Sequence, residues 1–119
     1  MTTLTYLAAP YSHPDAEVMA DRVHQADAAM VQLMRQGYVV YSPISHWHRA
    51  AQHHELPTNA NAWIEQNRHM LHACDMLHVL QIPGWEDSQG VAMEIIWARN
   101  AKMPVVMLEA EEEFPIVSF

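Results

Sequence analysis

The 119-residue sequence has one cysteine, three glycines and only six lysines and arginines. The single thiol, Cys74, can form no intrachain disulfide and points to a reducing, cytoplasmic setting. Six basic residues against 14 acidic ones leave a formal charge of −8. That excludes the basic face a phosphate-backbone binder needs, so no nucleic-acid polymer is expected as a partner. No apolar run approaches the ~20 residues that span a bilayer, so no membrane is expected as a partner either. The first apolar run follows the N-terminus with no basic stretch before it, so no signal peptide is expected. Internal repeats and low-complexity linkers are missing as well.

What remains is a chain in which half the residues are hydrophobic, long enough for one domain with a real core. Strand-like and helix-like patterns alternate, which predicts an α/β layered domain over residues 1–108. Glu109, Glu111, Glu112 and Glu113 open an acidic tail over 109–119. Leu4 to Ala9 and Tyr38 to Tyr41 are the first two strands, and Ser42 to Pro57 is read as a loop-like, histidine-rich stretch with room for a helical turn. Between the two strands, Ala16, Met19, Val23, Ala26, Met30 and Leu33 recur at helical spacing, with Pro14 before them and Gly37 after. A further helix runs from about Asn59 to Cys74, with Ala60, Trp63, Ile64, Asn67, Met70, Leu71 and Cys74 inward. A strand over Met76 to Ile82, a helix from about Ser88 to Lys102 and a strand from Pro104 to Leu108 complete the chain. Right-handed crossovers would join these strands in a small doubly wound, mainly parallel sheet. Ligands gather outside the carboxyl ends of such strands, which selects loops 9–15, 42–48 and 83–90.

Two residues in the last helix region stand out. Ser88 is a good N-cap, and the helix start offers free N–H groups with a positive dipole end. Gly90 removes a side chain from the first turn, so a ligand can approach the backbone. Glu94 is the only charged side chain between Val91 and Ala98. A carboxylate on so apolar a helix is paired, hydrogen-bonded or functional. Ser88 and Glu94 are six residues apart, or ~9 Å of helix, and the backward lean of helical side chains shortens that gap. A ribose 5-phosphate fits it, phosphate at the helix start and anomeric carbon near the carboxylate. The bland reading makes Ser88 a cap and pairs Glu94 with Arg99 or Lys102. The two apolar faces of this helix, Val91/Ile95/Ala98 and Met93/Ile96/Trp97, predict a symmetric homodimer through the second.

Tyr6-Leu7-Ala8-Ala9-Pro10-Tyr11-Ser12, then Cys74-Asp75, then Ser88-Gln89-Gly90-Val91-Ala92-Met93-Glu94 resembles the nucleoside 2-deoxyribosyltransferase-like superfamily. The start of the chain and the Ile82-Pro83-Gly84-Trp85 turn are most similar to an uncharacterised bacterial and phage branch. The Ser-x-Gly-Val-x-x-Glu pattern is also similar to deoxynucleoside monophosphate N-glycosidases. The resemblance covers residues 4 to 108 and implies a flavodoxin-like sheet of four to five strands with flanking helices. It implies Glu94 as the nucleophile on the anomeric carbon, cleaving or transferring the glycosidic bond of a nucleoside or nucleoside 5′-monophosphate. It also implies a homo-oligomer, and the reaction runs on side chains with no cofactor. Ser88 takes the place of a phosphate-holding serine. Where relatives often carry an aspartate against the leaving base, this chain has Asn67, which cannot act as an acid; Glu94 and Asn67 are therefore the paired catalytic candidates. Asn67 in place of the acid also leaves open a non-catalytic nucleotide-binding protein on the same scaffold.

The loops supply the substrate-binding candidates. Ala9 is small enough for a ligand to pass over the first strand, Tyr11 and Ser12 reach sugar or phosphate, and Asp15 orients a sugar hydroxyl. Ser12 or His13 as a plain helix cap is the alternative. By superfamily position Ser42, His46 and Trp47 face the base. His46, His48, His53 and His54 are read as surface or hydrogen-bonding residues rather than a zinc site, because no set of cysteine or carboxylate partners accompanies them.

Overall fold

The computed structural model describes residues 2–110, with Ala60 described by its backbone only. The elements are β1 (Leu4–Ala8), α1 (Ala16–Arg35), β2 (Val39–Tyr41), α2 (Pro43–His53), α3 (Ala60–His72), β3 (Met76–Gln81), a 3₁₀ turn (Trp85–Asp87), α4 (Gln89–Asn100) and β4 (Val105–Glu109). The four strands form one all-parallel sheet in the order β2-β1-β3-β4. This is the expected doubly wound α/β arrangement, consistent with a flavodoxin-like fold. Glu109, assigned to the tail on charge, ends β4, and residues 111–119 of that tail lie outside the described residues.

Alternation along the central strands builds the core. Tyr6 and Ala8 of β1 and Leu77 and Val79 of β3 meet Leu71 of α3 and Val91 and Ala98 of α4 on one face. Leu7 and Leu80 point the other way, against Ala29 and Leu33 of α1. Successive side chains of a strand point to opposite faces, so strands covered on both sides read as continuous apolar runs. Thr5 and His78 are the polar exceptions, both buried, and they satisfy each other through a 2.7 Å bond between Oγ1 and Nδ1. Burial holds the His78 imidazole below its usual range, favouring the neutral ring.

Two elements differ from the sequence expectation. Residues 43–53 are a full helix, with Pro43 in its first turn and Ile44, Trp47 and Ala51 buried. Those three fall at i, i+3 and i+7, one helical face, and pack with Tyr11 and Ala26. The four histidines crowding the other positions hide that stripe in the sequence. Met70, expected inward on α3, is 37% exposed. It lies at the edge of the apolar stripe centred on Asn67 and Leu71, where the helix turns toward solvent.

The strand order sets the site. From β1 the chain moves to β2 on one side, and β3 and β4 lie on the other. The loops leaving β1 and β3 therefore diverge and open a crevice at the carboxyl ends of these neighbouring strands.

Candidate active site

A cavity of about 560 Å³ occupies that crevice, a size suited to a small organic ligand. The loop after β1, the α2–α3 pair, the turn after β3 and the first turns of α4 all contribute to its wall.

Glu94 lines it from α4 and is itself buried. Its Oε2 accepts a hydrogen bond from the hydroxyl of Tyr6, a fully buried residue of β1. Neither Arg99 nor Lys102 pairs with it; the ion pair on the neighbouring helix joins Arg68 to Glu65. Burial without a countercharge disfavours the anion and pushes the Glu94 carboxyl up to about 8, although the Tyr6 bond opposes the shift. Tyr6 moves in the same direction, well above the usual phenol range, through burial and the neighbouring carboxyl. Both shifts favour the protonated carboxyl and the neutral phenol.

At the other end of the cavity, Ser88 caps α4 by accepting from the N–H of Val91 at 3.2 Å. Its hydroxyl proton remains available, and Gln89 and Gly90 complete the cavity lining here. The turn before it requires Gly84, whose φ is +96° and where a side chain would collide with Arg22. Arg22 of α1 reaches across both ligand loops. Its Nη1 donates to the carbonyls of Ser12 at 3.0 Å and Tyr11 at 3.5 Å, and its Nη2 to that of Pro83 at 3.4 Å.

Aromatic rings form the α2–α3 side. Trp47 and Trp63 stack with centroids 4.1 Å apart and planes 2° from parallel, and Tyr11 meets Trp47 edge-on at 5.0 Å. Asn67 lies one turn beyond Trp63 on α3, and its buried Oδ1 has no hydrogen-bond partner, nor does the buried Trp47 Nε1. Buried polar atoms are nearly always satisfied, so orphans lining a cavity mark places for ligand atoms or water.

Residues 3–110 match the family described as a domain of unknown function, DUF1937. The chain belongs to this family. The match is compatible with the resemblance to nucleoside 2-deoxyribosyltransferase-like proteins and does not extend to it. No curated protein matches the chain.

In this DUF1937 domain the crevice gathers eight of the eleven residues singled out from sequence: Ala9, Tyr11, Ser12, Trp47, Asn67, Ser88, Gly90 and Glu94. The other three stand apart. Asp15 is the N-cap of α1, accepting from the Glu17 N–H at 2.8 Å, so it and not Ser12 or His13 caps that helix. Ser42 is buried at the start of α2, with its hydroxyl 2.8 Å from that of Ser45. His46 turns outward to a separate groove between α1 and α2, which it shares with His48, Arg49, His53 and His54. No three His, Cys, Asp or Glu side chains converge as a metal site among the described residues. Met93 and Trp97, expected at a subunit contact with Ile96, line the cavity, while Ile96 is 56% exposed.

Arg22 and Tyr6 were missed by sequence reasoning. Arg22 lies ten residues after Ser12 but 61 before Pro83, and Tyr6 is one of several apolar-looking residues in a buried strand. The only sequence hint of Tyr6 was an aromatic hydroxyl on a fully buried strand, a group that must find a partner.

Proposed function

We propose that this chain cleaves or transfers the N-glycosidic bond of a nucleoside or nucleoside 5′-monophosphate, with Glu94 as the nucleophile. The observation that carries the reading is a buried carboxyl without a basic partner, facing a cavity that ends at a helix N-terminus. Burying an unpaired acid is expensive, and folds keep such groups where they act. The ligand's sugar lies across the first turns of α4 with any phosphate at Ser88 and the N–H groups beside it. In the first step a Glu94 carboxylate oxygen attacks the anomeric carbon and the base departs with the bonding electron pair. In the second, water or another base displaces the carboxylate from the sugar. Tyr6 holds the attacking carboxylate and stabilises its charge. Arg22 is a positioning residue that ties the β1 and β3 loops together through their carbonyls.

The test is a chromatographic search for free base after incubation with nucleosides, 5′-monophosphates and pyridinium glycosides. Release by the wild type, and its loss in Glu94→Ala with the fold intact, is the expected outcome. A second reading, nucleotide binding without turnover, is favoured by an amide at position 67 where an acid would assist departure. It predicts ligand-induced thermal stabilisation with no product from any substrate. The chain acts in a reducing, cytoplasmic setting and as a homodimer on this proposal, with exposed Ile96 available for a subunit contact; sedimentation showing only monomer at micromolar concentration contradicts the dimer.

A further inference from the structure

The leaving-group side of the cavity lacks an acid. The lining residues of α2 and α3 include Trp47, Trp63, Ile64 and Asn67, and none of those from either helix carries a carboxyl, imidazole or amine. Neutral purines and pyrimidines leave poorly unless a proton reaches the ring, and a positioned general acid contributes roughly 10²–10⁴-fold to such steps. A ring nitrogen that already bears a positive charge needs no proton, because it departs as a neutral heterocycle.

The electrostatics of the same cavity point the same way. Glu94 faces it with a phenol as partner and no cation. Of the basic side chains in the wall, Arg22 is turned to three backbone carbonyls, and His13 Nδ1 accepts from the N–H of Asp15 at 2.9 Å. Once ionised, Glu94 therefore takes its countercharge from the ligand. Four electron-rich rings, Tyr11, Trp47, Trp63 and Trp97, line the wall, and aromatic faces attract cations. Beside them Asn67 offers an unpartnered amide oxygen, an acceptor for the N–H of another carboxamide.

Building on the proposed function, we infer that the preferred substrates are N-glycosides of quaternised heteroaromatic rings, above all N-ribosylpyridiniums bearing a carboxamide. The Glu94 carboxylate attacks the anomeric carbon, and the bond between that carbon and the ring nitrogen breaks. Its electron pair stays on nitrogen, which becomes a neutral pyridine. Anion and cation thus become a neutral ester and a neutral product inside a low-dielectric site. Water then adds to the anomeric carbon, its proton goes to solvent and the Glu94 carboxylate is restored. Asn67 holds the ring's carboxamide and takes no proton.

The experiment measures kcat/KM for base release from nicotinamide riboside and nicotinamide mononucleotide against adenosine, thymidine, cytidine and their 5′-monophosphates. Nicotinamide is expected to leave at least about 10²-fold faster than any neutral base, the scale of a missing general acid. A smaller ratio, with neutral bases released in a Glu94-dependent way, overturns this inference and leaves the proposed function standing. Release from no substrate at all overturns the proposed function itself. Asn67→Asp supplies the acid and is expected to raise turnover of neutral substrates, narrowing the ratio at least about tenfold. An unchanged ratio in a folded Asn67→Asp variant overturns the role of Asn67; if that variant does not fold, the wild-type ratio decides alone.

Discussion

Replacing Glu94 by glutamine tests the electrostatics of the site without any knowledge of its ligand. Glutamine keeps the shape and an oxygen that accepts from Tyr6, but it cannot ionise. The wild-type carboxyl titrates near 4.5 when unfolded and is pushed up to about 8 in the folded chain. Each pKa unit corresponds to about 1.4 kcal/mol, so full ionisation of Glu94 in the folded chain costs about 5 kcal/mol. The sign follows from proton counting. Below the unfolded value both states are protonated and nothing is lost. As the pH rises, the unfolded chain gives up its proton while the folded chain keeps it, so stability falls until the pH passes the folded value. For a domain whose total stability is of order 5–15 kcal/mol, that loss is large. Urea unfolding at intervals between about pH 4.5 and 9 measures it, taking the difference between wild type and Glu94→Gln so that other groups cancel. The difference is expected to move against the wild type by roughly 1.4 kcal/mol per pH unit between the two values and to level off above about 8. A difference that stays flat, or moves in favour of the wild type, refutes the buried, unpaired carboxyl.

Tyr6→Phe removes the one group that favours the Glu94 anion; the midpoint of the pH profile of kcat/KM, which rises as Glu94 ionises, should move upward, and an unmoved midpoint contradicts that role. Gly84→Ala puts a side chain at φ +96° against Arg22 and should destabilise by about 1–3 kcal/mol in thermal or urea unfolding. Rescue of that loss by Arg22→Ala would leave only the backbone strain. Cys74 is buried, its Sγ donates to the Met70 carbonyl, and burial pushes its thiol up to about 11. Its reaction with a disulfide reagent should be slow in the folded protein and rise sharply on unfolding; fast labelling of the native chain contradicts its placement.

The sheet was legible because β1 and β3 are buried on both faces and therefore read as plain apolar runs. The helix α4 was legible because its residues from Val91 to Ala98 are apolar apart from Glu94, which stood out against them. The part of the site built by separation along the chain was not. Tyr6 and Glu94 are 88 residues apart, and their pairing follows from the packing of α4 over β1. Arg22 reads in sequence as one surface charge on a long helix, because only the fold brings two loops to its guanidinium. The helix α2 was masked by histidines on its polar face, which also made His46 look like a ligand residue. Trp47 was expected by superfamily position to face a base. Its ring stacks on Trp63, a partner that enters from the next helix.

The central claim is that the Glu94 carboxylate forms a bond to the anomeric carbon. Rapid acid quenching of the enzyme during turnover of an active substrate, followed by peptide mass mapping, tests it most directly. The peptide containing Glu94 should gain the mass of the sugar, or sugar phosphate, and lose it as the reaction ends. Base release that persists in Glu94→Ala, with the sugar found on another residue, would contradict the account.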